Sequence, residues 1–341
     1  MVPVFDGHND ALTAAEAVAI AGGREDGHLD VGRAAAGGLA GGIFAVFCES
    51  EDDAFGDVVF GADGYDIPLP APLPHEDALS SATRTAARLF TLEAMGAVRV
   101  VRSTADLDRS LEDGRLAAVL GLEGAEPIAR DLAGLDDWYE AGVRVIGPVW
   151  SRPNDFGHGV PFRFPSSPDT GPGLTEAGQR LVRACNALGI VVDLSHLNEN
   201  GFWDVARISD APLVASHSGA HALCPSSRNL TDEQLRAIAT TGGLVGVVFA
   251  VPFLRADGAD ETDTPLSIVV EHVRHVAEVA GIDHVALGSD FDGAPVPDAL
   301  GDVTGLPRLL EALADDGFTP AEIDAIAWSN WRRVLGASWR D

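Results

Sequence analysis

Five short segments of the chain carry residue types that hold metal ions and move protons. They are Asp6-Gly7-His8-Asn9-Asp10, Leu122-Glu123-Gly124, Asp193-Leu194-Ser195-His196, Ser216-His217-Ser218 and Gly288-Ser289-Asp290-Phe291-Asp292-Gly293. Each follows a short apolar run, so each lies where a strand ends. His8 and Asp10, two apart, point to the same side and can share one metal ion. His196 and His217, from neighbouring strands, can hold a second ion, and Glu123 has two carboxylate oxygens with which to bridge both. Imidazole and carboxylate ligation without thiolate suits zinc, with manganese or cobalt as alternatives. The charges of Asp10, Glu123 and Asp290, with one bridging hydroxide, balance two divalent ions. Without metal, three carboxylates would crowd one mouth and raise one another's pKa. One histidine after a strand is ordinarily a cap or a core residue. Acidic and imidazole groups at five strand ends make a site.

The rest of the composition narrows the chemistry. The chain has 341 residues, 46% hydrophobic, and all 23 of its Lys+Arg residues are arginine. Without lysine there is no Schiff base, no pyridoxal phosphate anchor, no P-loop lysine and no carbamylated lysine between two metals. The formal net charge of −29 argues against nucleic acid or an anionic membrane as partner, because both repel such a surface. Cys48, Cys185 and Cys224 are odd in number and widely spaced, which implies no disulfide framework. No apolar stretch reaches the length of a membrane span, and neither end reads as a signal or a lipid-anchor tail. A cytoplasmic monomer or homodimer is the expectation.

Eight apolar, β-branched runs must position the five segments. They are Val2–Phe5, Gly42–Phe47, Leu116–Leu122, Val143–Val149, Ile190–Leu194, Leu213–Ser216, Leu244–Phe249 and His284–Gly288. Near-continuous apolar runs suit a parallel sheet buried on both faces. Helix-period segments lie between them: Glu76–Val98, Leu132–Ala141, Thr175–Leu188, Gly201–Ser209, Asp232–Thr240, Pro265–Ala280 and Leu306–Asp316, with Pro320–Leu335 closing the chain. Thr175 and Thr231 read as helix caps. The alternation predicts one α/β domain over residues 1–341, a (β/α)8 TIM-type barrel with its site at the C-terminal strand ends. Two long non-periodic loops, Cys48–His75 after strand two and Ser151–Gly173 after strand four, interrupt it.

The five segments, with Ser227-Arg228-Asn229, resemble the membrane (renal) dipeptidase family, peptidase family M19 of the amidohydrolase superfamily. The resemblance runs from Phe5 to about Leu335 in the family's motif order. It implies that His8, Asp10 and Glu123 hold a first zinc and Glu123, His196 and His217 a second. It further implies that Asp290 shuttles a proton between a bridging water and the leaving amine, and that Arg228 pairs with the substrate's terminal carboxylate. Two metals make a nucleophile at neutral pH and polarise the scissile carbonyl, which is the physical sense of that arrangement. The implied activity is a zinc-dependent dipeptidase acting on a small dipeptide, with a D-residue tolerated at the C-terminal position. Hydrolysis of a β-lactam, a lactone or an N-acyl amino acid on the same metals is the alternative, and a silent metal-binding protein is a weaker one.

The chain departs from the family pattern at the end of strand four, where a histidine that contacts the carbonyl oxygen is replaced by Trp150. Arg152 or His158, in the following loop, is the expected substitute, or the role is absent and the metals alone stabilise the charge. The family's strand-seven tyrosine has only Phe249 and Phe253 in its place. Arg163 is a further candidate for substrate contact, and His221 a weaker one. Asp6 and Asp193 are placed to support ligand histidines from behind. Asp292 is expected to fix a turn with Gly293. His272 and His275, three apart on an outer helix, are expected on a solvated face.

Overall fold

Parallel pairing joins the barrel strands in sequence order. The barrel strands are one, Val4–Asn9; two, Leu39–Phe47; three, Leu116–Glu123; four, Val143–Gly147; five, Val191–Val192; six, Val214–Ser218; seven, Leu244–Val247; and eight, Val285–Leu287. In the computed structural model, which describes residues 2–49, 60–61 and 64–340, strands one to five form one curved ladder and strands six to eight a second. Two single parallel bridges join the ladders, Asn9 to Phe291 and Asp193 to Val214. The expected (β/α)8 barrel is therefore present. Of the predicted loop after strand two, residues 50–59 and 62–63 lie outside the described residues, as do Met1 and Asp341 at the chain ends.

The barrel interior is packed with side chains. Phe5, Val119, Val145, Val191, Val214 and Ala286 point into it from six strands, all nearly or fully buried. Strand six comes unusually close to strands one, seven and eight around the Ser216 carbonyl. A Cβ on Gly7, Gly246 or Gly288 would lie 2.4, 2.0 or 1.9 Å from that oxygen, so only glycine allows the approach. The narrow waist lies directly below His217. Trp331 closes the opposite end against Phe5, its indole N–H donating to the Leu287 carbonyl at 2.9 Å. The predicted helix Pro320–Leu335 is interrupted by a π turn at Ala325–Ser329, which aims Trp328 and Trp331 into the barrel end.

The outer helices follow their sequence signals. Asp232–Thr240 starts with a reciprocal capping box between Thr231 and Gln234, and Glu176–Leu188 starts at Thr175 and ends at Gly189 with φ 76°. Four features differ from the expectation. Helix His75–Ala94 stops early, and Val98–Val100 instead pairs with the start of strand three. An amphipathic helix, Thr104–Asp113, follows between a Ser103 cap and Gly114. Three short helices fill residues 11–37. The two long loops are not structureless, because Tyr65–Ile67 pairs antiparallel with Phe162–Phe164 beside the barrel mouth. All three cysteines are free and buried. Among the described residues, no helix is long and apolar enough to cross a membrane.

Candidate metal centre

The five strand-end segments meet at one point. Glu123, the last residue of strand three, sits between two sets of side chains. Its Oε2 lies 3.6 Å from His8 Nε2, and its Oε1 lies 3.0 Å from His196 Nε2 and 3.7 Å from His217 Nε2. His8 Nε2 is also 3.3 Å from Asp10 Oδ2. Candidate ligand atoms of Glu123, His196 and His217 fall within 4.8 Å of one another, and so do those of His8, Asp10 and Asp290.

Hydrogen bonds settle which imidazole nitrogen faces inward. The Ser216 hydroxyl donates to Asp193 Oδ2 at 2.5 Å, so it accepts from His217 Nδ1 at 2.8 Å. His217 therefore carries its proton on Nδ1 and presents the Nε2 lone pair to the centre. Ser151 pairs with His196 Nδ1 at 2.8 Å, which leaves His196 Nε2 facing inward as well. Two imidazole Nε2 atoms then stand 3.0 Å apart beside a carboxylate. His8 Nε2 is buried between Asp10 and Glu123, with no well-aligned hydrogen bond among the described residues. Inward imidazole nitrogens beside the carboxylates of Asp10, Glu123 and Asp290 form a donor set that fits divalent metal.

The electrostatics of the bare side chains agree. Burial and then the Arg228 charge lower His196 to about 3, and burial and then the His8 charge hold His217 well below its ordinary value. Burial opposes ionisation of both Glu123 and His8. The His8 and His196 imidazoles nonetheless hold Glu123 well below the carboxylate range, and the Glu123 and Asp10 charges raise His8 well above its own. Burial, with the Asp10 charge, pushes Asp290 up to about 7.

Backbone geometry also marks the mouth. His196, Asp290 and Asp292 have φ of 66°, 63° and 70°, a left-handed conformation uncommon outside glycine. Asp6 accepts from the Ser289 N–H and hydroxyl and from the His8 N–H, tying strand one to the turn that bears Asp290. Asp292 fixes that turn from the other side, accepting from Arg24 and from the His28 N–H. The sequence reading gave no role to Ser151, Ser216 or Arg24. Ser151 and Ser216 adjoin residues already singled out, and their adjacency was the available signal.

The remaining candidates divide. Arg228 reaches the centre, with Nη2 3.2 Å from His196 Nε2 and its guanidinium 5.5 Å above the Phe253 ring. Trp150 forms part of the cavity wall, its ring 5.8 Å from that of His196. The structure does not bring Arg152 there. Its side chain is fully buried behind the wall, donating to the Cys48 carbonyl at 3.1 Å, 3.6 Å from Glu126 and stacked on Trp150 and Phe47. His158 lies against Gly171, outside the cavity lining. Arg163 pairs with Asp66, and His221 with the Ser166 carbonyl. The solvated reading of His272 is corrected: it is 1% exposed, held between the Ala220 N–H and the Leu254 carbonyl, while His275 pairs with Asp232.

Known proteins share this architecture. A metallopeptidase from Rhodobacter sphaeroides, crystallised with a phosphinate mimic of the dipeptide L-Ala-D-Ala, is 46% identical, with TM-score 0.96 over 99% of both chains. The dipeptidase AC, an M19 metallopeptidase, is also 46% identical, with TM-score 0.93 over 99% of both chains. A Klebsiella pneumoniae protein described as "uncharacterized protein in pqqA 5'region" is 52% identical over 72% of this chain and 90% of its own length. Residues 1–339 match the family described as membrane dipeptidase, and with the metal-ligand geometry above, the chain belongs to that family, peptidase family M19.

Proposed function

We propose that this metallopeptidase hydrolyses the peptide bond of a dipeptide with a free C-terminal carboxylate, using two zinc ions. The carrying observation is Glu123, whose two oxygens face two separate ligand sets, His8 with Asp10 and His196 with His217. Divalent ions bound there supply a nucleophilic water at neutral pH and polarise the scissile carbonyl. The chain's own residues do the rest. Arg228 offers a planar fork of donors to the terminal carboxylate, and its buried Nε has no hydrogen-bond partner among the described residues. Asp290, raised toward neutrality by its burial, is suited to accept a proton from the attacking water and return it to the leaving nitrogen. The Rhodobacter relative's L-Ala-D-Ala mimic supports tolerance of a D-residue at the C-terminal position.

Metal analysis of the purified protein alongside a dipeptide assay tests the reading. The expected result is two zinc ions per chain, hydrolysis of Ala–Ala dipeptides with either C-terminal configuration, and loss of activity on chelation. His196→Ala or His217→Ala removes mainly one ion. At most one tightly bound metal in a fully active preparation overturns the two-ion arrangement.

A further inference from the structure

The barrel mouth opens into a cavity of about 690 Å³, far more than the metal ligands themselves need. One wall of it is aromatic. Phe253 and Phe162 stack with centroids 5.7 Å apart and planes 10° from parallel, Trp150 meets Phe162 edge-on at 5.9 Å, and Phe47 meets Trp150 at 4.8 Å. These rings come from four separate places: the end of strand two, the end of strand four, the paired loop segment Phe162–Phe164, and the short helix Val251–Leu254 after strand seven. Neither the metal ligands nor Asp290 accounts for such a wall.

Its position relative to Arg228 assigns it. The guanidinium lies 5.5 Å above Phe253, the first ring of the series. A carboxylate held by Arg228 belongs to the C-terminal residue of the substrate, and that residue's side chain branches from the carbon next to it. Phe253 is the ring nearest that carboxylate, with Phe162 stacked on it and Trp150 edge-on to Phe162. Charge limits which side chain suits these rings. Arg228 stands over Phe253 and is taken by the terminal carboxylate, and no arginine is among the described residues that line the cavity. Glu49 and Asp260 border it near the rings, where the Asp260 N–H donates to the Phe60 carbonyl at 3.1 Å.

Resting on the dipeptidase reading, we infer that the aromatic wall is the subsite for the C-terminal residue's side chain. It selects a large uncharged side chain, aromatic or branched aliphatic, and rejects an acidic one. Stacked and edge-on rings offer apolar area with little rotamer entropy to lose, whereas an acidic side chain is desolvated there beside Glu49 and Asp260, with Arg228 already paired to the terminal carboxylate.

The test is kcat/KM of the zinc-loaded enzyme for Ala–X dipeptides, with X as Ala, Leu, Phe and Glu in both configurations, and for the reversed X–Ala series. The expected result is at least about a tenfold preference for X as Phe or Leu over Ala in the Ala–X series, with Glu the poorest. Phe162→Ala should bring the Phe-to-Ala ratio toward one, and Phe162→Leu, which keeps an apolar side chain, should lower it less. Equal rates across Ala–X, a preference for Glu, or the same size preference appearing only in X–Ala overturns the inference while leaving the dipeptidase reading in place. Absence of turnover with every dipeptide removes the reading and the inference together.

Discussion

Asp193 sets the tautomer of His217 through a single hydroxyl, that of Ser216. The carboxylate accepts the Ser216 O–H, and it also accepts the backbone N–H groups of Ser195 and Ser216 at 3.0 and 2.8 Å. One buried acid thus fixes the ends of strands five and six and the direction of an imidazole lone pair two side chains away.

Ser216→Ala keeps the backbone bonds and removes the relay. His217 is then free to place its proton on either nitrogen, and metal affinity should fall by about 10–100-fold. Competition with a chromophoric chelator measures this. Unchanged affinity would mean that the ring is oriented by packing alone.

Asp290→Asn retains the shape of the turn and removes the titrating group. Loss of general acid–base help should lower kcat by roughly 10²–10⁴-fold, or about 3–5 kcal/mol of barrier. Metal content should stay at the wild-type value, measured in the same preparation. A variant with near-full turnover would place proton transfer elsewhere.

Arg228→Ala should raise KM for dipeptides with a free C-terminal carboxylate. The matching C-terminal amides, which lack the paired charge, should change much less. The comparison of acid with amide isolates the carboxylate contact from any general loosening of the site. Equal losses for both would separate Arg228 from carboxylate recognition.

His272 makes stability depend on pH. Burial holds its imidazole down to about 4, against 6.5 for the free side chain. Between those values the unfolded chain binds the extra proton, so the contribution is complete above pH 6.5 and declines as pH falls toward 4. It amounts to roughly 3 kcal/mol in total. His272→Gln keeps an acceptor for the Ala220 N–H and a donor for the Leu254 carbonyl but does not titrate. Denaturant midpoints at pH 7 and pH 5 should fall less for the variant than for the wild type. Identical slopes would assign the pH dependence to other groups.

The barrel and the residues clustered at its mouth were legible in the sequence because both depend on local pattern. Apolar β-branched runs mark strands, and His8, Glu123, His196, His217 and Asp290 each sit within a few residues of a strand end. The helix Thr104–Asp113 escaped because its apolar face is narrow, with only Leu107 and Ser110 buried. The loop Ser151–Gly173 escaped because its short strand pairs with a segment nearly a hundred residues away, which no local periodicity reports. Arg152 misled for a related reason. Proximity to a strand end suggested a catalytic cation, whereas the direction of the chain after Trp150 turns it behind the wall, toward Glu126 and the Cys48 carbonyl.

The barrel wall is a continuous ladder except at two joins, each made by one bridge, Asn9 to Phe291 and Asp193 to Val214. Asp10 and Asp290 flank the first join, and His196 and His217 stand across the second. Glu123 reaches both from the middle of the longer arc. A cation shared by these side chains would bridge both places where the strand ladder narrows to one bridge. Stripping the ions should therefore loosen the molecule as well as silence it, with amide exchange accelerating first at the joins while strands two and three stay protected. Apart from Glu123, the residues that would hold the ions are thus the residues that flank the two joins of the barrel.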